Sequence, residues 1–164
     1  MKSKTIIALL LAACWVAAPC TATAAVKEGD AFPAPSSYGV AGKLPSTTGK
    51  VVLYDFWASW CAPCRAALPV YEQLYQKYKA RGFEVVAVGT DENADAAAKF
   101  LRGLTLTFPV VTDTKQKFVA EIAPPSMPTS YLVGRNGKVI SIHTGFRGAK
   151  DLAVLTSSIE AALK

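Results

Sequence analysis

Apolar positions along this chain fall into two rhythms. Residues 51–57 form a continuous apolar run, broken only by Asp55 and rich in β-branched and aromatic side chains, which predicts a strand buried on both faces. Residues 83–88 repeat that character and predict a second buried strand. Between them, Leu68, Tyr71, Leu74, Tyr75 and Tyr78 recur at helical spacing and read as packing, so residues 63–80 predict a helix that is kinked at Pro69 and stopped by Gly82. Asn93 caps a predicted helix to about residue 102, carrying Ala96, Ala97, Phe100 and Leu101. A short strand is expected over 108–111, then a short helix capped by Asp113 or Thr114 and ending near Ile122. The proline-rich stretch 123–128 ends in Met127-Pro128 and cannot hold a helix. Two strands, 129–133 and 138–143, flank a hairpin turn at Arg135-Asn136-Gly137. A last helix over 150–164 aligns Leu152, Leu155, Ile159 and Leu163. Residues 25–49, rich in Gly, Pro, Ser and Thr, predict an irregular lead-in with a short hairpin near 38–44.

The order is β-α-β-α-β-α-β-β-α. Early alternation calls for parallel strands with crossover helices, and the late hairpin calls for antiparallel neighbours. The expected class is α/β, with a mixed central β-sheet flanked by helices on both faces. A chain of 164 residues argues for one such domain.

Composition changes this picture mainly at the N-terminus. Hydrophobic residues make up 51% of the chain, and part of that excess lies in the first two dozen positions. Lys2 and Lys4 precede an apolar run over 5–18, Pro19 breaks it, and Ala22-Thr23-Ala24 offers a small-x-small cleavage site. These are the parts of a secretory signal peptide. The expected division is a leader over 1–24 and a domain over 25–164, in a periplasmic or otherwise exported bacterial protein. Cleavage after Ala24 is the favoured processing. Leu11-Ala12-Ala13-Cys14 also resembles a lipoprotein signal, and an uncleaved membrane anchor is a third form, since 5–25 barely reaches the length of a span.

Export sharpens the cysteine count. Of four Cys, Cys14 and Cys20 lie in the leader, so Cys61 and Cys64 are the pair that the domain keeps. Two Cys and a lone, distant His143 do not make a closed zinc site, and no metal is expected. The net charge is +6, with Lys2 and Lys4 supplying two of those charges. The remaining positives are scattered without an aromatic-interleaved basic stripe, which argues against a nucleic-acid partner.

Cys61 and Cys64 stand where the first strand gives way to a helix. A thiol at a helix N-terminus meets unpaired amides and the positive end of the helix dipole, and both favour the thiolate. A second thiol one turn on can close or open a disulfide with it, which is thiol–disulfide exchange. Pro63 lacks an N–H at a position where none is needed. The dipeptide Ala62-Pro63 adds no charge to stabilise a thiolate further, which argues for a reducing or intermediate potential. A purely structural disulfide is the alternative, although so small a ring does little by loop closure.

The run Asp55-Phe56-Trp57-Ala58-Ser59-Trp60-Cys61-Ala62-Pro63-Cys64, with Pro69 behind it, resembles the thioredoxin superfamily. So does the distant stretch Met127-Pro128-Thr129-Ser130-Tyr131-Leu132-Val133 with Arg135-Asn136-Gly137-Lys138 after it. Within that superfamily the chain is similar to the exported TlpA/ResA-like thiol–disulfide oxidoreductases over about residues 30–164, and the insertion at 91–107 resembles the extra helix of that branch.

The resemblance implies a thioredoxin-like fold and a set of roles. Cys61 would attack, and the shielded Cys64 would resolve the mixed disulfide. Asp55, costly in an apolar strand, would lie beneath the disulfide with its pKa raised by burial and would move a proton for Cys64. Thioredoxin faces that acid with a Lys, where this chain has Ala87. Glu92 matches an acid that the branch keeps near its active site; the alternative is a solvated acid at a helix start. Pro128 matches the family's cis-proline, which exposes the backbone of Met127 to a substrate strand. Trp60, Ala62 and Pro63 would complete the substrate surface, with Trp57 as core packing and His143 as an ordinary strand residue.

The implied activity is reduction of disulfides in exported Cys-containing proteins, apocytochrome c among the candidates. No cofactor beyond the Cys61–Cys64 pair is implied, and electrons would come from a membrane thiol carrier of the DsbD/CcdA type. Two other readings stay open: a non-enzymatic binding or chaperone module built on the Met127–Pro128 groove, and a peroxiredoxin-type peroxidase. The latter lacks its Pro-x-x-x-Thr-x-x-Cys setting here.

Overall fold

The computed structural model describes residues 25–164, so the predicted leader, Cys14 and the Ala24 cleavage site lie outside the described residues. The chain forms β1 (Val51–Trp57), α1 (Ala62–Tyr78), β2 (Phe83–Gly89), α2 (Ala94–Leu101), β3 (Val110–Thr112), α3 (Lys117–Ile122), β4 (Thr129–Val133), β5 (Val139–Thr144) and α4 (Ala149–Ala162). The expected element order holds. The sheet runs β3-β2-β1-β4-β5. β1 pairs in parallel with β2 and antiparallel with β4, so the sheet is mixed, as expected.

All seven residues of β1 are buried because the strand has a helical layer on each side. Val51, Leu53 and Trp57 pack on the face shared with Leu68, Tyr71 and Leu74 of α1 and with Leu155 and Ile159 of α4. Val52, Tyr54 and Phe56 pack on the opposite face against Phe118 and Ile122 of α3. Side chains alternate along a strand, so Asp55 belongs to the α1 face. That single parity places a carboxyl beneath the helix that starts at the cysteines. Pro69 remains inside α1, so no N–H from that position reaches the Arg65 carbonyl.

Three expectations are corrected. No hairpin forms over 38–44; a short 3-10 turn at Pro35–Tyr38 leads to Ala41, which exchanges two backbone hydrogen bonds of 2.8 Å with Thr112. On the far side of the sheet, Gly29 and Asp30 bond to Val139, at 2.8 and 2.9 Å. The lead-in thus covers both outer strands, whose free edge groups need partners. Gly42 makes the β3 approach possible: a Cβ there would meet the Val110 carbonyl at 3.0 Å, and its φ is +118°. The short strand starts at Val110 rather than Phe108, because Phe108 turns into the α1-side core. Neither Asp113 nor Thr114 is the cap of α3, which starts after Gln116; Asp113 still accepts the Val119 N–H at 2.8 Å.

Candidate active site

Beyond Trp57 the chain turns through Ala58, Ser59 and Trp60 and enters α1. Cys61 is the N-cap residue of that helix, and its Sγ accepts the Cys64 N–H at 3.2 Å. The sulfur therefore already sits where a thiolate would be held by a helix N-terminus, and no acidic residue occupies the first turn to oppose it. Cys61 and Cys64 are joined in a disulfide. Cys64 is fully buried and Cys61 is 3% exposed, while the adjoining Trp60 is 74% exposed. Ala62 and Pro63 also face solvent. Trp57, by contrast, is buried and stacks on Phe100 with ring centroids 4.9 Å apart.

A buried carboxylate holds the turn that delivers these residues. Asp91 accepts the Ser59 N–H at 2.9 Å on one oxygen and the Ser59 hydroxyl at 2.6 Å on the other. The sequence points to its neighbour Glu92 and not to Asp91. A signal existed: β1 and β2 pair with a constant offset, Asp55 to Ala87 and Trp57 to Gly89, and continuing it sets Asp91 opposite Ser59. Glu92 is exposed and lines a shallow groove with Trp60, Gln116, Val119 and Met127. Asp91→Ala is expected to destabilise the oxidised protein by about 1 kcal/mol, the low end of the range for stranded donors, because Ser59 is only partly buried. Urea unfolding checks this, and an unchanged midpoint would show that the tie does not hold the turn.

Asp55 has no exposed surface. One oxygen, Oδ1, accepts the Ser130 hydroxyl at 2.8 Å, and the other, Oδ2, has no partner. Burial pushes its pKa up to about 8, against the smaller, opposite effect of the Ser130 hydrogen bond. On the β2 side its register partner is Ala87, whose side chain has nothing to donate. Ser130 in turn is bonded to the Tyr71 hydroxyl at 3.0 Å. Cys64, Ala67, Leu68 and Tyr71 are among the buried residues that recur at spacings of three and four along α1, so Tyr71 shares the face of Cys64 two turns on. In sequence Tyr71 reads as packing and Ser130 carries no signal.

The Met127–Pro128 bond is cis. Pro128 is buried, while Met127 is half-buried and packs against the core that holds Cys61 and Cys64. The structure thus brings Trp60, Glu92 and Met127 to one groove at the turn that leads into Cys61, while Asp55 is linked through Ser130 to Tyr71 of α1. His143 lies across the sheet register from Ser130 and bonds the Ser141 hydroxyl at 3.0 Å. Burial holds its pKa below the ordinary value. Among the described residues no group of three or more His, Cys, Asp or Glu side chains could hold a metal ion.

The family profile described as Redoxin matches residues 27–163. Thiol-disulfide oxidoreductase ResA of Bacillus thuringiensis (strain Al Hakam) is 36% identical over 114 residues, which is 70% of this chain and 66% of that protein. The chain thus spans slightly less than two thirds of that relative. ResA of Bacillus subtilis (strain 168) is 34% identical over 103 residues, covering 63% of this chain and 58% of its own. Among solved structures, a Chlorobium tepidum protein assigned as thiol:disulfide interchange protein DsbE superposes with a TM-score of 0.75 at 40% identity, over 85% of this chain and 100% of that one. The chain therefore has the thioredoxin-like fold and belongs to the Redoxin family, and within it is similar to the ResA proteins.

Proposed function

We propose that the protein is an exported disulfide reductase acting on cysteines of other exported proteins. The observation that carries this reading is the Cys61 sulfur at the N-cap of α1, already accepting the Cys64 N–H. In the reduced protein that hydrogen bond and the helix dipole favour a Cys61 thiolate. The thiolate attacks a client disulfide, one client sulfur leaves as thiolate, and a mixed disulfide forms. Cys64 gives its proton to Asp55 and attacks Cys61; the second client sulfur leaves, and the Cys61–Cys64 bond closes. The client gains the two electrons that the pair loses, and a proton returns from Asp55 toward the departing thiolate.

Client recognition is assigned to Trp60, Ala62 and Pro63 on one side and to the Met127 backbone before Pro128 on the other, where an extended client segment pairs edge to edge. Glu92 lies on the rim of the same groove and acts on the client rather than on the buried thiol. The pair itself supplies the redox chemistry, with no added cofactor. Export rests on the basic, apolar and small-residue pattern of positions 1–24. Apocytochrome c is a fitting client, since its haem-attachment cysteines must be reduced. The electrons are resupplied by a membrane thiol carrier of the DsbD/CcdA type.

The direction of flow is directly measurable. Alkylation of cells producing the protein is expected to find Cys61–Cys64 reduced while the membrane carrier is present and oxidised once it is deleted. A pair that stays oxidised in both strains would rule out the reductase reading.

A further inference from the structure

Asp55 has two carboxyl oxygens in unlike surroundings. Oδ1 is engaged by the Ser130 hydroxyl at 2.8 Å, and Oδ2 is buried without a partner. When Asp55 is ionised it can only accept, so the one proton of the Ser130 hydroxyl is directed at Oδ1. Its oxygen is then left to accept, and the group at 3.0 Å is the Tyr71 hydroxyl. The hydrogen bonds therefore run in one direction, from Tyr71 through Ser130 to Oδ1. The sites come from three separate elements, α1, β4 and β1, and Ser130 and Tyr71 are 1% and 2% exposed, so no solvent competes along the chain.

We propose that Tyr71 and Ser130 are positioning residues for the resolving step, a two-hydroxyl chain that fixes Asp55 so that Oδ2 alone is free for the proton of Cys64. This deepens the reductase reading and rests on it. In that step the Cys64 S–H bond breaks, the proton bonds to Oδ2, and the Cys64 sulfur uses its electron pair to displace the client sulfur from Cys61. The chain does two things. It occupies Oδ1, so that the new O–H forms on the remaining oxygen. It also stabilises the carboxylate form, which is the form able to take a proton. Register gives Ala87 on the β2 side, so the stabilising partner must come from β4.

The titratable and charged groups facing this chain are few. Cys64 and Tyr71 come from α1, and His143 lies opposite Ser130 on β5. From α4, Asp151 acts on both Tyr71 and His143 and is itself tied to Arg147 at 3.0 Å; Glu28 in the lead-in acts on His143. Asp55 is nonetheless the carboxyl that accepts the Ser130 hydrogen bond.

The test follows the reduced protein with a peptide disulfide, by rapid quench across a pH series, separating formation of the mixed disulfide from its decay. The decay of the wild-type adduct should accelerate with pH as Asp55 ionises. In Ser130→Ala the midpoint of that rise should move up by about one pH unit, leaving decay at neutral pH about tenfold slower, the scale of one hydrogen bond to a charged group. Formation of the adduct by Cys61 should be unchanged. Tyr71→Phe, which keeps the ring packed on Phe146, should shift the midpoint the same way by less. Ser130→Thr, which keeps a hydroxyl, should bring it back. Carbon-13 NMR titration of Asp55 in the oxidised protein should move in parallel, and a merely structural role would not move it. Should Ser130→Ala fail to fold, Tyr71→Phe and the NMR titration still decide. Unmoved midpoints with normal wild-type decay overturn the relay alone. A wild-type protein that forms no mixed disulfide overturns the reductase reading, and the relay's use in resolution with it.

Discussion

Replacing Cys64 with serine will leave the protein covalently attached to its clients. Cys61 keeps its place at the N-cap of α1, so it can still attack a client disulfide. A serine hydroxyl stays protonated at neutral pH and does not displace sulfur from sulfur. The second half of the cycle is then lost, and the mixed disulfide survives until an outside thiol reaches it. Turnover should fall to background, the largest effect any single substitution here can have. Cys61→Ser should also abolish turnover, but without adducts, because Cys64 is fully buried and cannot meet a client. Non-reducing electrophoresis of exported proteins separates the two variants. Adducts on the Cys61→Ser protein, or none on the Cys64→Ser protein, would reverse or remove the assigned order of attack. A non-enzymatic binding module predicts instead that the double Cys→Ser protein binds clients fully and leaves cells without a redox defect.

Asp55→Asn should make the oxidised protein more stable while it slows resolution. The folded protein holds the Asp55 carboxyl protonated up to a pKa of about 8, whereas an unfolded chain ionises it near the ordinary value of 3.8. Below that ordinary value both states are protonated and nothing is lost. Between the two values the unfolded state sheds the proton first, so folding loses about 1.4 kcal/mol per pH unit as pH rises, and the loss is complete above the folded pKa. An amide does not ionise, so the variant escapes this loss. The expected gain at neutral pH is about 2–4 kcal/mol, less whatever the unpaired amide N–H groups cost in a buried site. Urea unfolding of wild type and variant at several pH values checks it: the gap should widen from mildly acidic pH toward pH 8 and then level off. A gap independent of pH would mean that Asp55 ionises normally in the fold. With the proton acceptor gone, resolution should slow by roughly a hundredfold, within the usual range for general-base loss. Greater stability with slower turnover is a combination that ordinary core damage does not produce.

The line from residues to site was legible where one local rule sufficed. A buried seven-residue strand running into a helix that starts at Cys61 needs only periodicity and capping, and it formed as expected. The Asn136-Gly137 turn and the last helix followed in the same way. Asp55 stood out because a carboxyl in an apolar run demands a reason. Asp91, Ser130 and Tyr71 did not stand out, since each is an ordinary residue in its own segment. Their importance comes from strand pairing: Ser130 matters because β4 lies antiparallel to β1 in a register that sets it beside Asp55. The lead-in forms no hairpin because its turn residues specify loops but not what the loops cover. It pairs with the outer strands β3 and β5 instead of with itself.

The two tryptophans of the described chain, Trp57 and Trp60, immediately precede the reactive pair, one stacked in the core and one open to solvent. Disulfides quench indole emission at short range and thiols do so less. The intrinsic emission is therefore expected to change with the oxidation state of the pair, read from a shielded and a wetted fluorophore. Redox titrations and stopped-flow kinetics can be read from the native chain without a dye that would occupy the client groove.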